Sequence, residues 1–506
     1  VKSLFDPHDA AQFPGDLALR AYTSRLLGGD SALVMHGGGN TSVKAREDGE
    51  DILYIKGSGA DLAQVSEADF APVRLAEVRR LIGLEALDNA RLVDAFRGAL
   101  KNPAAPRPSI ETLLHAVLPF KWVEHTHADA VLAVADTLHG AEHVRAAFGD
   151  AVLVVPYRHS GFELAKCCHD IFTHQATVNT IGMVLMHHGI FAFGNTARQS
   201  YENMIGLVSH AQDYLESRQA WDIPLRFPAG GAPAPSSGRH PAYLALAALR
   251  RDLSRAAGFP LILSVFSDLF SLAFARRPDL PMLALRGPAT PQHAVYTKRL
   301  PLLGRDVAAY AEDYRRYLAG NAPPDAPRLP DPAPRVVLDP EWGVCAAGAN
   351  AYFAHAAGEI AQHAMRIMSR AEALDEYISL PPREVLAAEI EYGGFEEKIR
   401  HSYPLAGQVV LVADALARQE EVATLLAQGA AVVGLDRGSA IKSLHNHRAF
   451  LGLNCDPDDQ AATEAALELG VRAFGGIDRL VGGDAALQEM CRPLLALSPL
   501  QSGQDG

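Results

Sequence analysis

The sequence predicts an α/β protein, and three observations carry that reading. From Pro14 to about Arg218, short apolar runs bounded by glycine alternate with longer stretches of helical period. From Leu405 the rhythm is strand, helix, strand, which implies parallel pairing. Between them, FPAGGAPAPSSG at Phe227–Gly238 is too rich in Pro, Gly, Ala and Ser to pack, so it separates a first domain from the rest. The expected parts are residues 1–226, a connecting α/β domain over 239–403 and a partial Rossmann-like βαβ domain over 404–506.

In the first part, strands are expected at Leu33–Met35, Ile52–Ile55, Trp122–His127, Val152–Val155 and Met183–Met186. Helices are expected at Pro14–Leu27, Asp69–Ile82, Ser109–Leu118, Ala130–Asp136, Phe162–Phe172 and Thr196–Ser217. The connecting part opens with a helical PAYLALAALRRDLSRAAG, continues through strands near Leu261–Val265 and Val295–Lys298, and ends on a long helix, Tyr352–Ala373. No titratable cluster stands out there, and Lys298, Arg299 and Arg305 read as solvated charges. The last part gives strands at Val409–Val412, Ala431–Leu435 and Ile477–Val481, with helices at Gln419–Gln428 and near Asp459–Arg472.

Composition narrows the function classes. A chain of 506 residues with net charge −13 has no overall basic field for nucleic acid or an anionic membrane. Any anionic ligand must meet a local positive site. Five cysteines with no CxxC spacing fit a reducing compartment, and the Asp- and Pro-bearing first thirty residues contain no apolar leader segment. A cytoplasmic protein is expected.

The strongest chemical signal is Glu124-His125-Thr126-His127 at a strand end. Residues i and i+2 of a strand face one side, so His125 and His127 can converge on one ion. His187-His188-Gly189 also ends an apolar strand, and since neighbours face opposite ways only one of its imidazoles can join them. His188 is the expected third ligand, with His187 packed beside it. Three neutral imidazoles with an open position are the ligand set of a catalytic zinc. Cys167 and Cys168 read instead as small buried hydrophobes.

Pro108-Ser109-Ile110-Glu111 is expected to open a helix, with Ser109 as its cap and Glu111 in the first turn. Functionally, Glu111 reads as a general base in a site where a metal acidifies the substrate. Two glycine-bearing turns follow apolar runs: His36-Gly37-Gly38-Gly39-Asn40-Thr41-Ser42 and Lys56-Gly57-Ser58-Gly59. Their backbone N–H groups and polar side chains form a suitable nest for a phosphate.

Taken in order, HGGGNTSV, IKGSGADL, PSIETLLH, EHTHADAV and HHGIFAFG resemble the blocks of the class II aldolase/adducin family over residues 15–220. The resemblance implies an α/β/α domain around a mainly antiparallel sheet. It also implies zinc, or another divalent metal, on His125, His127 and His188, with Glu111 catalytic. The family's phosphate site falls on Gly39, Asn40, Ser42, Ser58, Gly59 and Ser109. Members form cyclic oligomers, so a homo-oligomer, in the family's pattern a tetramer, is expected. TKRLPLLGRDVAAYAEDYRRYL, DPAPRVVLDPEWGV and the Rossmann-type segment resemble fused proteins that join a rhamnulose-1-phosphate aldolase to a short-chain dehydrogenase.

The resemblance departs at the end. A dinucleotide-binding turn needs glycine where the backbone approaches the pyrophosphate, yet Ala413-Asp414-Ala415-Leu416-Ala417-Arg418-Gln419 contains none. Asp436 follows the second strand where a ribose-binding acid belongs, GGIDRLVGGDA at Gly475–Ala485 replaces an Asn-Asn-Ala-Gly turn, and no Tyr-xxx-Lys pair follows. A truncated, degenerate Rossmann remnant is expected, without NAD, its role packing or assembly. The expected function is metal-dependent cleavage of a ketose 1-phosphate to dihydroxyacetone phosphate and an aldehyde. Epimerisation or dehydration of a sugar phosphate at the same site, and a non-catalytic adducin-like assembly role, are the alternatives.

Overall fold

The computed structural model describes residues 1–225, 242–456 and 458–501, so the boundary at Phe227–Gly238 lies outside the described residues. The chain forms two compact units, Val1–Ile223 with Arg366–Ser379, and Pro224–Met365 with Leu380–Gly506.

The first unit is built on a seven-stranded sheet. Its strands are β1 (Asn40–Glu47), β2 (Glu50–Lys56), β3 (Phe70–Arg74), β4 (Trp122–Thr126), β5 (Val152–Val155), β6 (Gly182–Leu185) and β7 (Gly189–Gly194). The order is β3-β2-β1-β4-β7-β6-β5, and every neighbouring pair is antiparallel except β5 with β6. This is the mainly antiparallel sheet expected. A two-residue Asp48-Gly49 turn joins β1 to β2, a pair suited to the right-handed twist of a hairpin.

Local expectations fail at three places. Leu33–Met35 is a turn, and the strand is the following segment, β1. The helix expected over Asp69–Ile82 begins as β3, leaving Leu75–Arg80 helical. Pro72 sits in β3 without harm because β3 is the edge of the sheet, where a missing N–H donor costs no ladder bond. Ser109 is not a helix cap: the helix runs Thr112–Val117 with Glu111 in the cap position, and Ser109 Oγ accepts from the Glu111 N–H at 3.3 Å.

Alternation along β4 sets what each face does. Val123 shares a core with Leu53, Ile55, Leu113, Leu114, Phe191 and Phe193. On the other face the Glu124 carboxylate receives both terminal nitrogens of Arg20 at 2.7 and 2.8 Å and the Ser200 hydroxyl at 2.8 Å. Both charges are fully buried, and their mutual pairing offsets the desolvation.

The second unit holds two four-stranded sheets. One consists of β8 (Ile262–Phe266), β9 (Leu302–Leu303), β10 (Val336–Asp339) and β11 (Gly343–Gly348) in the order β8-β11-β10-β9. The other consists of β12 (Val409–Ala413), β13 (Ala431–Asp436), β14 (Phe450–Asn454) and β15 (Arg479–Val481), all parallel, in the order β14-β13-β12-β15. That is the order of one half of a Rossmann sheet. Its residues Val409, Leu411 and Val433 share one core with Leu261, Leu263 and Trp342 from the connecting segment. Arg250 fastens the two stretches, donating to Asp478 at 2.7 and 3.0 Å and to the carbonyl of Gly407 at 2.8 Å.

The segment expected as a strand at Val295–Lys298 is the end of a helix, Pro291–Thr297, capped by Thr290. Of the cations expected to be solvated, Arg305 keeps 39% of its side chain exposed, whereas Lys298 does not. Lys298 is buried beside Asp331 and over the ring of Tyr314, and Arg305 pairs with Asp339 while stacking on Trp342 at 3.6 Å. A titratable cluster therefore exists where none stood out in the sequence: Lys298, Asp331, Arg335, Glu389 and Glu396.

Candidate active site

The antiparallel pairing of β4 with β7 brings the histidines together. Thr126 lies opposite Ile190 and His125 opposite Phe191, so the end of β4 and the start of β7 occupy one end of the sheet. His127 extends past β4, and His188 closes the turn from β6 into β7. Ring centroids are 4.9 Å apart for His125 and His127, 5.0 Å for His125 and His188, and 5.2 Å for His127 and His188. Gly189 makes this approach possible, because a Cβ there would lie 2.4 Å from the Thr126 carbonyl oxygen and 2.9 Å from the His127 ring.

The donor set fits a divalent cation. Among the described residues, His125, His127 and His188 are the group whose ligand atoms all lie within 4.8 Å of one another. His125 Nδ1 donates to the Ile190 carbonyl at 3.1 Å, which leaves the Nε2 lone pair facing the cluster. His125 Nε2 and His127 Nε2 are 3.1 Å apart. Tetrahedral ligands at about 2.0–2.1 Å from zinc stand about 3.3 Å from each other. Burial lowers the proton affinity of His125 and His188, and a neutral imidazole is the ligating form. His187 adopts φ +57° and turns away, its Nδ1 3.1 Å from the buried carboxylate of Asp136. Burial raises the pKa of both Cys167 and Cys168, so neither thiol is a ready thiolate ligand.

Glu111 faces the same cluster. Its Oε2 lies 3.4 Å from His125 Nε2 and its Oε1 3.3 Å from His188 Nε2. Asn40 Nδ2 donates to Glu111 Oε2 at 2.6 Å and to Ser109 Oγ at 3.1 Å. Asn40 is placed by β1, whose first residue pairs with His125 of β4. Just before it, Gly39 has φ +56°, and a Cβ there would lie 2.5 Å from the His125 carbonyl oxygen. Ser42 is fully buried, with its hydroxyl 2.8 Å from His115 Nδ1, so it does not present a donor to a bound anion.

The sequence assigned no role to three residues of this neighbourhood. Lys56 is almost fully buried and donates to the carbonyls of Gly37 at 2.9 Å and Ala60 at 2.7 Å, tying the two glycine turns together. Burial lowers its pKa to about 8. Its signal was a lysine closing an apolar strand. His115, four residues after Glu111, shares a helix face with it. His159 is close enough to His188 to disfavour its protonation. Ser58 and Gly59 are exposed at the second turn, with the Ser58 N–H held by the Arg107 carbonyl at 2.8 Å.

Residues 18–215 match the family model described as the class II aldolase and adducin N-terminal domain, and residues 241–399 match the model for a second domain of class II aldolases. The chain carries class II aldolase and adducin domains over these residues. A curated relative, an uncharacterized oxidoreductase, YuxG, from Bacillus subtilis, is 28% identical over 95% of this chain and 74% of its own length. Similar solved structures include the N-terminal class II aldolase domain of a conserved protein from Thermoplasma acidophilum, 34% identical over 42% of this chain and 97% of that one, with TM-score 0.38. L-fuculose-1-phosphate aldolase from Thermus thermophilus is 18% identical over 40% of this chain and 97% of its own, with TM-score 0.28. In this chain, class II aldolase domains are joined to a dehydrogenase-like part.

The dehydrogenase-like part of the chain lacks the open glycine turn of a dinucleotide site. In the turn after β12, Asp414 takes the left-handed conformation with φ +53°. The Asp436 carboxylate accepts from the N–H groups of Leu416 and Gly438, both at 3.0 Å, and so occupies the turn where a ribose or diphosphate would be held. The helix Gln419–Ala427 that follows carries Glu420 and Glu421 in its first turn, which repel the anion such a helix end otherwise attracts.

Proposed function

We propose that the first unit is a divalent-metal, zinc-type aldolase that reversibly cleaves a ketose 1-phosphate to dihydroxyacetone phosphate and an aldehyde. The observation that carries this reading is the convergence of three imidazoles, two buried and one half-buried, with the Glu111 carboxylate at one end of the sheet. A divalent ion held by His125, His127 and His188 supplies Lewis-acid polarisation of the substrate carbonyl. Glu111 moves the proton at the carbon next to that carbonyl, removing it in condensation and returning it after cleavage. The Ser58 hydroxyl, the Gly59 N–H, the Ser109 hydroxyl and the backbone at Gly39 hold the phosphate, so that binding energy remote from the reacting bond orients it. Asn40, with both amide protons engaged, serves Glu111 instead. The Lys56 ammonium beneath both turns adds positive potential where an acidic chain otherwise has little.

No helix among the described residues is long and apolar enough to cross a membrane. We propose a homo-oligomer, a tetramer in the family's pattern, in the cytoplasm; sedimentation and cell fractionation test both. The activity is tested by metal analysis of the purified protein together with a coupled assay for triose phosphate over a panel of ketose 1-phosphates. Metal with triose phosphate release supports the reading. Metal with epimerised or dehydrated product replaces the reaction while keeping the site, and metal with no turnover of any sugar phosphate returns the assembly role.

A further inference from the structure

His115 lies one helical turn beyond Glu111, fully buried and edge-on to Phe191 at 5.3 Å. Its ring nitrogens bond elsewhere than to the histidine cluster that would ligate a metal, and both are engaged. Nδ1 is 2.8 Å from Ser42 Oγ, and Nε2 is hydrogen-bonded to Asn40 Oδ1. A neutral imidazole has one N–H, so one nitrogen donates and the other accepts.

The neighbours decide which. Asn40 Nδ2 stands 2.6 Å from the Glu111 carboxylate. Turning the amide over would set its carbonyl oxygen against that carboxylate, two acceptors with no proton between them. Asn40 Oδ1 therefore faces His115 and must receive a proton from Nε2. Nδ1 is then bare and accepts from the Ser42 hydroxyl. Burial keeps the ring neutral, in agreement with this arrangement.

We propose that His115 is a positioning residue for proton transfer: its Nε2–H locks the Asn40 amide, which holds Glu111 Oε2 and leaves Oε1 as the atom that carries the proton. This rests on the reading of Glu111 as the proton-transfer group. Oε1 is buried, has no hydrogen-bond partner and lies 3.3 Å from His188 Nε2. In the condensation direction the substrate C–H bond breaks, the proton joins Oε1, and the electron pair moves onto the substrate carbonyl oxygen. Cleavage returns the same proton to the same carbon. If Asn40 swings, both carboxylate oxygens lose their distinction, and the base loses its aim without loss of the metal ligands.

Two polar substitutions separate this from a merely structural role. His115→Gln keeps an N–H donor near the Nε2 position, whereas His115→Asn keeps a polar group only near the Nδ1 position, toward Ser42. The Asn variant is expected to lose about tenfold to a hundredfold in kcat, with KM within about threefold and metal content unchanged. The Gln variant is expected to stay within about threefold of wild type. Equal losses in the two variants, or a loss confined to KM, would overturn the proposal. An independent readout needs no turnover: 15N shifts of histidine-labelled protein should show His115 protonated at Nε2 and bare at Nδ1. The opposite tautomer overturns the relay even if the aldolase reading holds. Absence of triose phosphate release in wild type overturns the aldolase reading while the tautomer still decides the relay.

Discussion

Two turns at strand ends in this molecule differ in what they leave open. In the first unit, the segment leading into β1 passes through Gly39 and sets Asn40 beside Glu111, with a cluster of imidazoles alongside. In the second, the turn after β12 sits in a sheet of Rossmann order, yet its Leu416 N–H is already taken by Asp436, which also holds the Gly438 N–H after β13. The first keeps a buried carboxylate oxygen without a partner, and the second satisfies its own groups internally. Fold order alone thus says little about chemistry; the unspent valences at the strand ends say more.

The comparison breaks most visibly at the histidines. Replacing His188 by Ala removes one of three ligands, and turnover should fall by about a thousandfold or more with bound metal lost. Elemental analysis beside the coupled assay checks both, and a His188→Ala protein that keeps metal and turnover would put the site elsewhere. Gly39→Ala should be nearly as damaging to the first turn. Its Cβ would stand 2.5 Å from the His125 carbonyl oxygen at a φ of +56°. A loss of about 2–4 kcal/mol in denaturant unfolding, with weakened metal retention, is expected.

The second turn should respond differently. Asp436→Ala leaves the Leu416 and Gly438 N–H groups without their partner and should cost about 1–3 kcal/mol in stability while leaving first-unit turnover intact. Titration of wild type with NADH, followed by nicotinamide fluorescence, should give no saturable binding. Saturation would show that Asp436 yields to a ribose and erase the contrast between the two turns.

The smallest effect concerns pH. The Lys56 ammonium, with its pKa lowered to about 8, carries charge below that value and loses it above. Inhibition by inorganic phosphate should therefore weaken by about twofold to fivefold between pH 7.5 and 9, and Lys56→Met should flatten that limb. An unchanged slope in the variant would remove Lys56 from the anion site.

Much of the site was legible because its geometry follows a strand period. His125 and His127 are two residues apart, and the one-residue offset between His187 and His188 decides which imidazole turns inward. The role of Asn40 and Ser42 was not legible, because it depends on His115, which is 75 and 73 positions away in sequence and joins them only after β1 meets the helix Thr112–Val117. β1 itself escaped notice since NTSVKARE has little apolar contrast and is a strand through its pairing with β2 and β4. β14 was missed too, and it is a strand through its pairing with β13. The missing glycine after β12 was readable, but the carboxylate that fills the turn was not, since the Asp436 hydrogen bonds form only once β12 and β13 lie side by side.

The central claim is that Glu111 moves the proton while the three histidines hold the ion. Glu111→Gln separates these roles, since glutamine keeps the size and loses the base. Metal content and triose phosphate release measured on the same preparation should show full metal with turnover lowered by about a hundredfold to ten-thousandfold. Turnover that survives in Glu111→Gln, or metal that leaves with the carboxylate, would contradict the account.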